Sequence, residues 1–113
     1  MQPIKERTKA FAITVIKLVQ SIQYNQVNSI LCRQLIRSAT SIGANYRSAL
    51  RGRSKAEFIA KLAIAQEESD ESCYWLELLS SIEQHPEIEK SLKEGEEITA
   101  ILAASSIKAK ANR

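Results

Sequence analysis

The sequence predicts an all-α fold: one domain over residues 1–113, built as an antiparallel up-down-up-down four-helix bundle. Three observations lead there. Apolar residues recur at steps of three and four along four separate stretches, which is the helical period. Glycine and proline number only 3 and 2 in 113 residues, too few for the many turns of an all-β chain. Aromatic residues make up 5% against 44% hydrophobic, so Leu, Ile, Val and Ala must fill the core. That hydrophobic share also excludes a disordered chain.

The first helix is expected over residues 4–23, where Phe11, Val15, Leu18, Val19 and Ile22 form the apolar face. Tyr24-Asn25-Gln26 reads as a short turn. The second helix is expected to start at Asn28 or Ser29, either of which can cap a helix, and to reach Leu50. Leu31, Leu35, Ala39, Ile42, Tyr46 and Ala49 are its core stripe. Gly43 inside it costs about 1 kcal/mol relative to Ala. Its position beside Ala39 and Ala44 predicts that another backbone approaches closely there. Gly52 is expected to end the helix.

The third helix opens on a capping box, Ser54-Lys55-Ala56-Glu57. Phe58, Leu62, Ala65, Ser69, Ser72, Leu76 and Leu79 give it a core face with small residues at its middle, again a sign of tight packing. It should end at His85-Pro86, because the residue before a proline resists helical geometry. The fourth helix follows Pro86, with Glu87 and Glu89 at the positive end of its dipole. Ile88, Leu92, Ile98, Ile101, Leu102 and Ile107 form its apolar face, Gly95 is a weak point, and Lys108–Arg113 should fray.

No stretch suits a membrane span. The longest apolar run, Ala10–Ile22, is broken by Lys17 and Gln20 and falls short of roughly 20 residues. The mixed charges of Lys5, Glu6, Arg7 and Lys9 do not resemble a secretory leader. A cytoplasmic location is therefore expected, with Cys32 and Cys73 as reduced core residues.

Charge is the informative feature. Residues 1–66 hold 11 basic and 2 acidic residues, whereas 67–97 hold 2 basic and 11 acidic. Six bases and no acid lie between Arg33 and Lys55. At about 100° per residue, Arg33, Arg37, Arg47 and Arg51 share one face of the second helix, opposite its core stripe. The first and last are about 27 Å apart at 1.5 Å per residue. Arg53 and Lys55 continue the run. Guanidinium groups grip phosphate or carboxylate with two parallel bonds, so two readings compete beside that of a plain solvated face. In one, the six residues track phosphates of RNA or DNA. In the other, the Arg stripe meets Glu67, Glu68, Asp70, Glu71 and Glu77 within one subunit or between subunits. Tyr46 is the only aromatic residue near the stripe and it lies on the core side, so nucleic-acid binding would be led by the backbone.

Catalytic patterns are missing. There is no Gly-x-Ser-x-Gly, no Glu-x-x-His and no phosphate-binding Gly-rich loop, and the single histidine, His85, sits at a helix end. We expect no enzyme activity, no metal and no cofactor.

Two stretches carry a family resemblance: Arg37-Ser38-Ala39-Thr40-Ser41-Ile42-Gly43-Ala44-Asn45-Tyr46-Arg47-Ser48-Ala49, and Gly52-Arg53-Ser54-Lys55-Ala56-Glu57-Phe58-Ile59-Ala60-Lys61-Leu62. Ala65 through Glu68, Glu71 and Tyr74-Trp75-Leu76-Glu77-Leu78-Leu79 continue it. The chain resembles the bacterial four-helix-bundle proteins first associated with intervening sequences in 23S ribosomal RNA genes. That resemblance implies an antiparallel bundle assembling as a homopentameric ring. It also implies kinship with the accessory variability protein of diversity-generating retroelements, a basic pentamer that engages a reverse transcriptase and its nucleic acid. One departure stands out: Arg47-Ser48-Ala49-Leu50-Arg51-Gly52 replaces the acidic-glycine stretch that usually follows Asn45.

A ring needs an apolar contact surface. Ile36 beside the second helix's stripe, and Ile59, Ile64 and Trp75 beside the third's, are the expected interface residues, with Ile30, Cys32 and Ala63 near them; the alternative is that these strips complete the chain's own core. The preferred reading is a non-enzymatic homo-oligomer that binds nucleic acid or a nucleoprotein partner. Its rival is a protein–protein scaffold whose charges serve assembly alone.

Overall fold

The helix boundaries follow from the groups that precede them. A computed structural model describes residues 3–112, and it holds four helices: α1 (Ile4–Ser21), α2 (Gln26–Leu50), α3 (Lys55–Ile82) and α4 (Pro86–Ala111). No strand occurs among the described residues. Helix α2 starts before the expected Asn28 or Ser29, because the Asn25 side chain accepts a hydrogen bond from the Asn28 N–H at 2.8 Å. Asn28 is itself buried, and its amide donates to the Gln23 carbonyl at 3.1 Å. It ties the loop to the helix and does not cap it.

Ser54 caps α3 as expected, accepting from the Glu57 N–H at 3.1 Å. His85 caps α4 through Nδ1, which accepts from the Glu87 N–H at 3.2 Å. Pro86 takes the first helical position, where its missing N–H would have had no partner. Helix α3 stops at Ile82, three residues short of the expected His85, because His85 is needed as the cap of the next helix.

Each helix packs beside its neighbour in the chain, and α1 also packs beside α4; among the described residues the backbones of the diagonal pairs do not come as close. The apolar stripes close on a single core in which Phe11, Val15, Leu35, Ile42, Leu62, Leu76 and Ile98 are fully or almost fully buried. Small polar residues let the backbones approach. Ser72 donates to Ser38 at 2.8 Å between α3 and α2, and Ser69 meets Thr99 at 2.6 Å between α3 and α4. Every partner satisfies the other, so burying these hydroxyls carries no unpaired polar group.

The glycines correct the sequence reading in part. Gly43 does face a close neighbour: a Cβ there would lie 3.2 Å from Thr8 Oγ1 of α1. Gly95 is no weak point. It is buried, and a Cβ would lie 3.0 Å from Cys73 Sγ and 3.4 Å from the Phe11 ring, so the residue admits close packing from two helices. Gly52 follows the helix without left-handed geometry, and its N–H bonds back to the Ala49 carbonyl at 3.0 Å. Two expectations for α4 fail as well. Ile107 is exposed although Ser106 beside it is buried, so it lies on the outward face of the helix, and Lys108 to Ala111 stay helical. The expectation for Arg113 lies outside the described residues.

Candidate nucleic-acid interface

Helix α2 buries Leu35, Ala39 and Ile42, and the opposite face carries Arg33, Arg37, Arg47 and Arg51, all exposed. The four do not share one environment. Arg37 is bonded to α3. Its Nη1 donates to Glu68 Oε2 at 3.1 Å, its Nη2 donates to Glu71 Oε1, and its Nε donates to Gln34 Oε1 at 3.3 Å. Glu71 Oε1 also accepts from Trp75 Nε1 at 3.3 Å. The bond to Glu71 holds the guanidinium proton more tightly than usual. Arg37 is thus paired with carboxylates of the chain itself, unlike the other arginines of the stripe. Its register on α2 faces two carboxylates one turn apart on α3, and both come within bonding distance.

The remaining bases stay open. Among the described residues Arg33 reaches only Ser29 Oγ, at 3.5 Å. Arg47, Arg51 and Arg53 make no side-chain hydrogen bond or ion pair with any described residue, and Arg51 and Arg53 project where the chain turns from α2 into α3. Lys55 donates to the Asn112 carbonyl at the end of α4, so one of its three donors faces the protein. The stripe thus divides into Arg33 at one end and an Arg47–Lys55 cluster at the other, with Arg37 neutralised between them.

The α3 acids do not pair with the rest of the stripe. Among the described residues, only Glu68 and Glu71 bond to it. The other interhelical carboxylate contacts go to Arg7 of α1, which bonds Glu94 and Glu97 of α4.

Beside Arg47 the structure adds a feature that the stripe alone did not reveal. A groove of about 490 Å³ runs between α1 and α2, lined by Lys5, Glu6, Thr8, Lys9, Ala12, Thr40, Gly43, Ala44 and Arg47. Lys5 and Lys9 sit one turn apart on α1, a spacing visible in the sequence. Only the close approach at Gly43 brings them opposite Arg47. No aromatic side chain lines the groove, and Tyr46 is half-buried against the core, where burial pushes its phenol pKa up.

The expected oligomer-contact residues are mixed. Ile36 and Trp75 are half-buried and pack against the core, Ile59 is half-buried, and Ile64 is exposed. Cys32 is buried within the core, so that flanking position completes the chain's own interior. Exposed apolar side chains also include Ile13, Ile16, Val27 and Ile30.

Both cysteines are free and buried. Burial pushes the Cys73 thiol up to about 11, against a smaller opposing pull from its contact with Thr99. Among the described residues, no three His, Cys, Asp or Glu side chains come together as a metal would require. No helix of the described residues is long and apolar enough to cross a membrane.

A family model described as 23S rRNA-intervening sequence protein matches residues 2–104. Among solved structures, the chain is similar to a protein of unknown function from the S23 ribosomal protein family of Bacteroides thetaiotaomicron VPI-5482. The two are 35% identical with a TM-score of 0.83, over 91% of this chain and 94% of that one. No curated protein matches the chain.

Proposed function

As this chain belongs to the 23S rRNA-intervening sequence protein family, we propose that it is a non-enzymatic, homo-oligomeric helical bundle that binds nucleic acid through exposed arginines at the α2–α3 end. The observation that carries this reading is the freedom of Arg47, Arg51 and Arg53 from any carboxylate among the described residues. Three unneutralised guanidinium groups within seven positions favour phosphate over a neutral ligand. The aromatic residues nearest them, Tyr46 and Phe58, are half-buried against the core, so recognition rests on the backbone of RNA or DNA. A nucleoprotein partner, such as a reverse transcriptase with its RNA, presents the same chemistry.

An up-down-up-down arrangement suits the pairs Thr8–Gly43, Arg7–Glu94 and Lys55–Asn112. A homo-oligomeric ring, pentameric by family resemblance, would cover the exposed Ile13, Ile16, Ile30 and Ile64. In a cytoplasmic setting both thiols would remain reduced.

A second reading draws on Arg37. One arginine of the stripe already bonds carboxylates, and in a scaffold the others would do so across subunits. A paired measurement separates the two. Charge reversal at Arg47 and Arg51 should abolish the gel shift of a structured RNA at low salt and leave the light-scattering mass unchanged. Loss of the oligomer on reversal, or no gel shift by the unmodified protein, would support the scaffold.

A further inference from the structure

Helix α1 crosses α2 where Gly43 leaves room for Thr8. Thr8 is fully buried, and its hydroxyl turns back to donate to the Lys5 carbonyl at 3.0 Å. With Thr8 in the seam, Lys5 and Lys9 come to the rim of the groove on the α1 side, and Arg47 stands opposite, one turn beyond Gly43. Between them the α2 side is floored by Thr40, Gly43 and Ala44, too short to block entry. None of the three cations bonds a carboxylate among the described residues. Glu6 is the one acid on the rim, so the notch keeps an excess of positive charge. Like charges converging on a concave surface without internal counter-ions favour an anion from outside.

We propose that this α1–α2 notch is a phosphate seat, in which Lys5, Lys9 and Arg47 hold one phosphodiester of a nucleic-acid strand. The inference rests on the nucleic-acid reading above and extends it to two residues of α1. The strand continues onto Arg51, about 6 Å farther along α2 at 1.5 Å per residue. From there it reaches Arg53 in the turn. A free mononucleotide is the weaker fit, because no ring lines the groove to stack a base. Glu6 opposes the ligand and tunes the site downward.

The test uses fluorescence anisotropy of a labelled single-stranded 20-nucleotide RNA, titrated at several salt concentrations with the full chain. Replacing both lysines (Lys5→Gln with Lys9→Gln) should weaken binding about tenfold at low salt and flatten the log–log salt slope by up to about 0.7, the share of one phosphate. Glu6→Gln should tighten binding severalfold, an effect that a merely structural role would not produce. AMP should compete only far above the RNA's own concentration. All three side chains are exposed, so the variants should keep the parent helix content and melting temperature. Unchanged binding by the double-lysine variant, with binding lost on Arg51→Gln and Arg53→Gln, would overturn the seat and leave the nucleic-acid reading intact. No binding by the unmodified chain would overturn both.

Discussion

The Arg7 guanidinium forks onto the Glu94 carboxylate across the α1–α4 seam. Its Nε lies 2.7 Å from Oε2 and its Nη2 2.8 Å from Oε1. The same Nη2 lies 2.7 Å from Glu97 Oε1. The Arg7 side chain is only 16% exposed. Arg7 thus removes one base from the positive half of the chain and two acids from the negative half, and it joins the first helix to the last. Arg7→Ala should lower unfolding free energy by about 1–3 kcal/mol, the range for hydrogen bonds to charged groups, as read by urea denaturation. Arg7→Lys should recover only part of it, since an ammonium cannot fork. A loss below about 0.3 kcal/mol would mean that the bidentate contact does not form in solution.

Gly95 gives a prediction of opposite sign to the usual glycine rule. An exposed helical glycine changed to Ala gains up to about 1 kcal/mol. Here the added methyl meets Cys73 Sγ and Phe11, so Gly95→Ala should destabilise by about 1–2 kcal/mol through overpacking. Adding Cys73→Ala to that variant should restore part of the loss, giving a double-mutant coupling that thermal melts can measure. Stabilisation by Gly95→Ala alone would show that the helices stand farther apart.

Alkaline pH should weaken the fold. The folded Cys73 thiol holds its proton up to about 11, against an ordinary value of 9.0, because burial disfavours the thiolate and Glu96, Asp70 and Glu77 add negative potential. The unfolded chain loses that proton first. Stability is therefore full below about pH 9 and falls as pH rises toward 11. Cys32 and Tyr46, both raised by burial, act in the same direction. Denaturation midpoints taken between pH 7 and pH 11 should fall over the upper half of the range, and less so in Cys73→Ala. A midpoint constant to pH 11 would contradict the burial of these groups.

Arg37 and Arg47 should separate in function although they lie on one face of α2. Arg37 is engaged with Glu68 and Glu71, and its side chain is 52% exposed. Arg37→Gln should therefore cost under about 1 kcal/mol of stability and change RNA affinity less than twofold. Arg47→Gln should leave stability alone and weaken RNA binding severalfold. Equal effects of the two on binding, measured by anisotropy, would mean that the Arg37 pairs open in solution.

Local signals carried most of the fold. The capping Ser54, the small residues Ser69 and Ser72, and the apolar steps through Leu35, Ile42, Leu62 and Leu76 are all set by helical period and backbone chemistry, which one sequence displays. The errors lie where a distant helix decides. Gly95 looked like a helix defect because nothing nearby announces Phe11 of α1. Asn25 and Asn28 are both good caps, and only the burial of Asn28 against the loop separates them. The site was half legible for the same reason. Periodicity places four arginines on one face of α2. Which of them meets a carboxylate depends on the axial register of α3, and the contribution of Lys5 and Lys9 depends on where α1 crosses Gly43.

The most direct measurement is the salt dependence of RNA affinity for the unmodified protein beside the Arg47→Gln, Arg51→Gln, Arg53→Gln triple variant. For a single strand each neutralised phosphate adds about −0.7 to the slope of log K against log salt. With one phosphate in the Lys5–Lys9–Arg47 seat and one each on Arg51 and Arg53, the slope should be about −2, and the triple variant, which keeps only the lysines on the seat phosphate, should bring it to about −0.7. Binding that ignores salt, or a triple variant that binds and titrates like the parent, would contradict the proposed basic end.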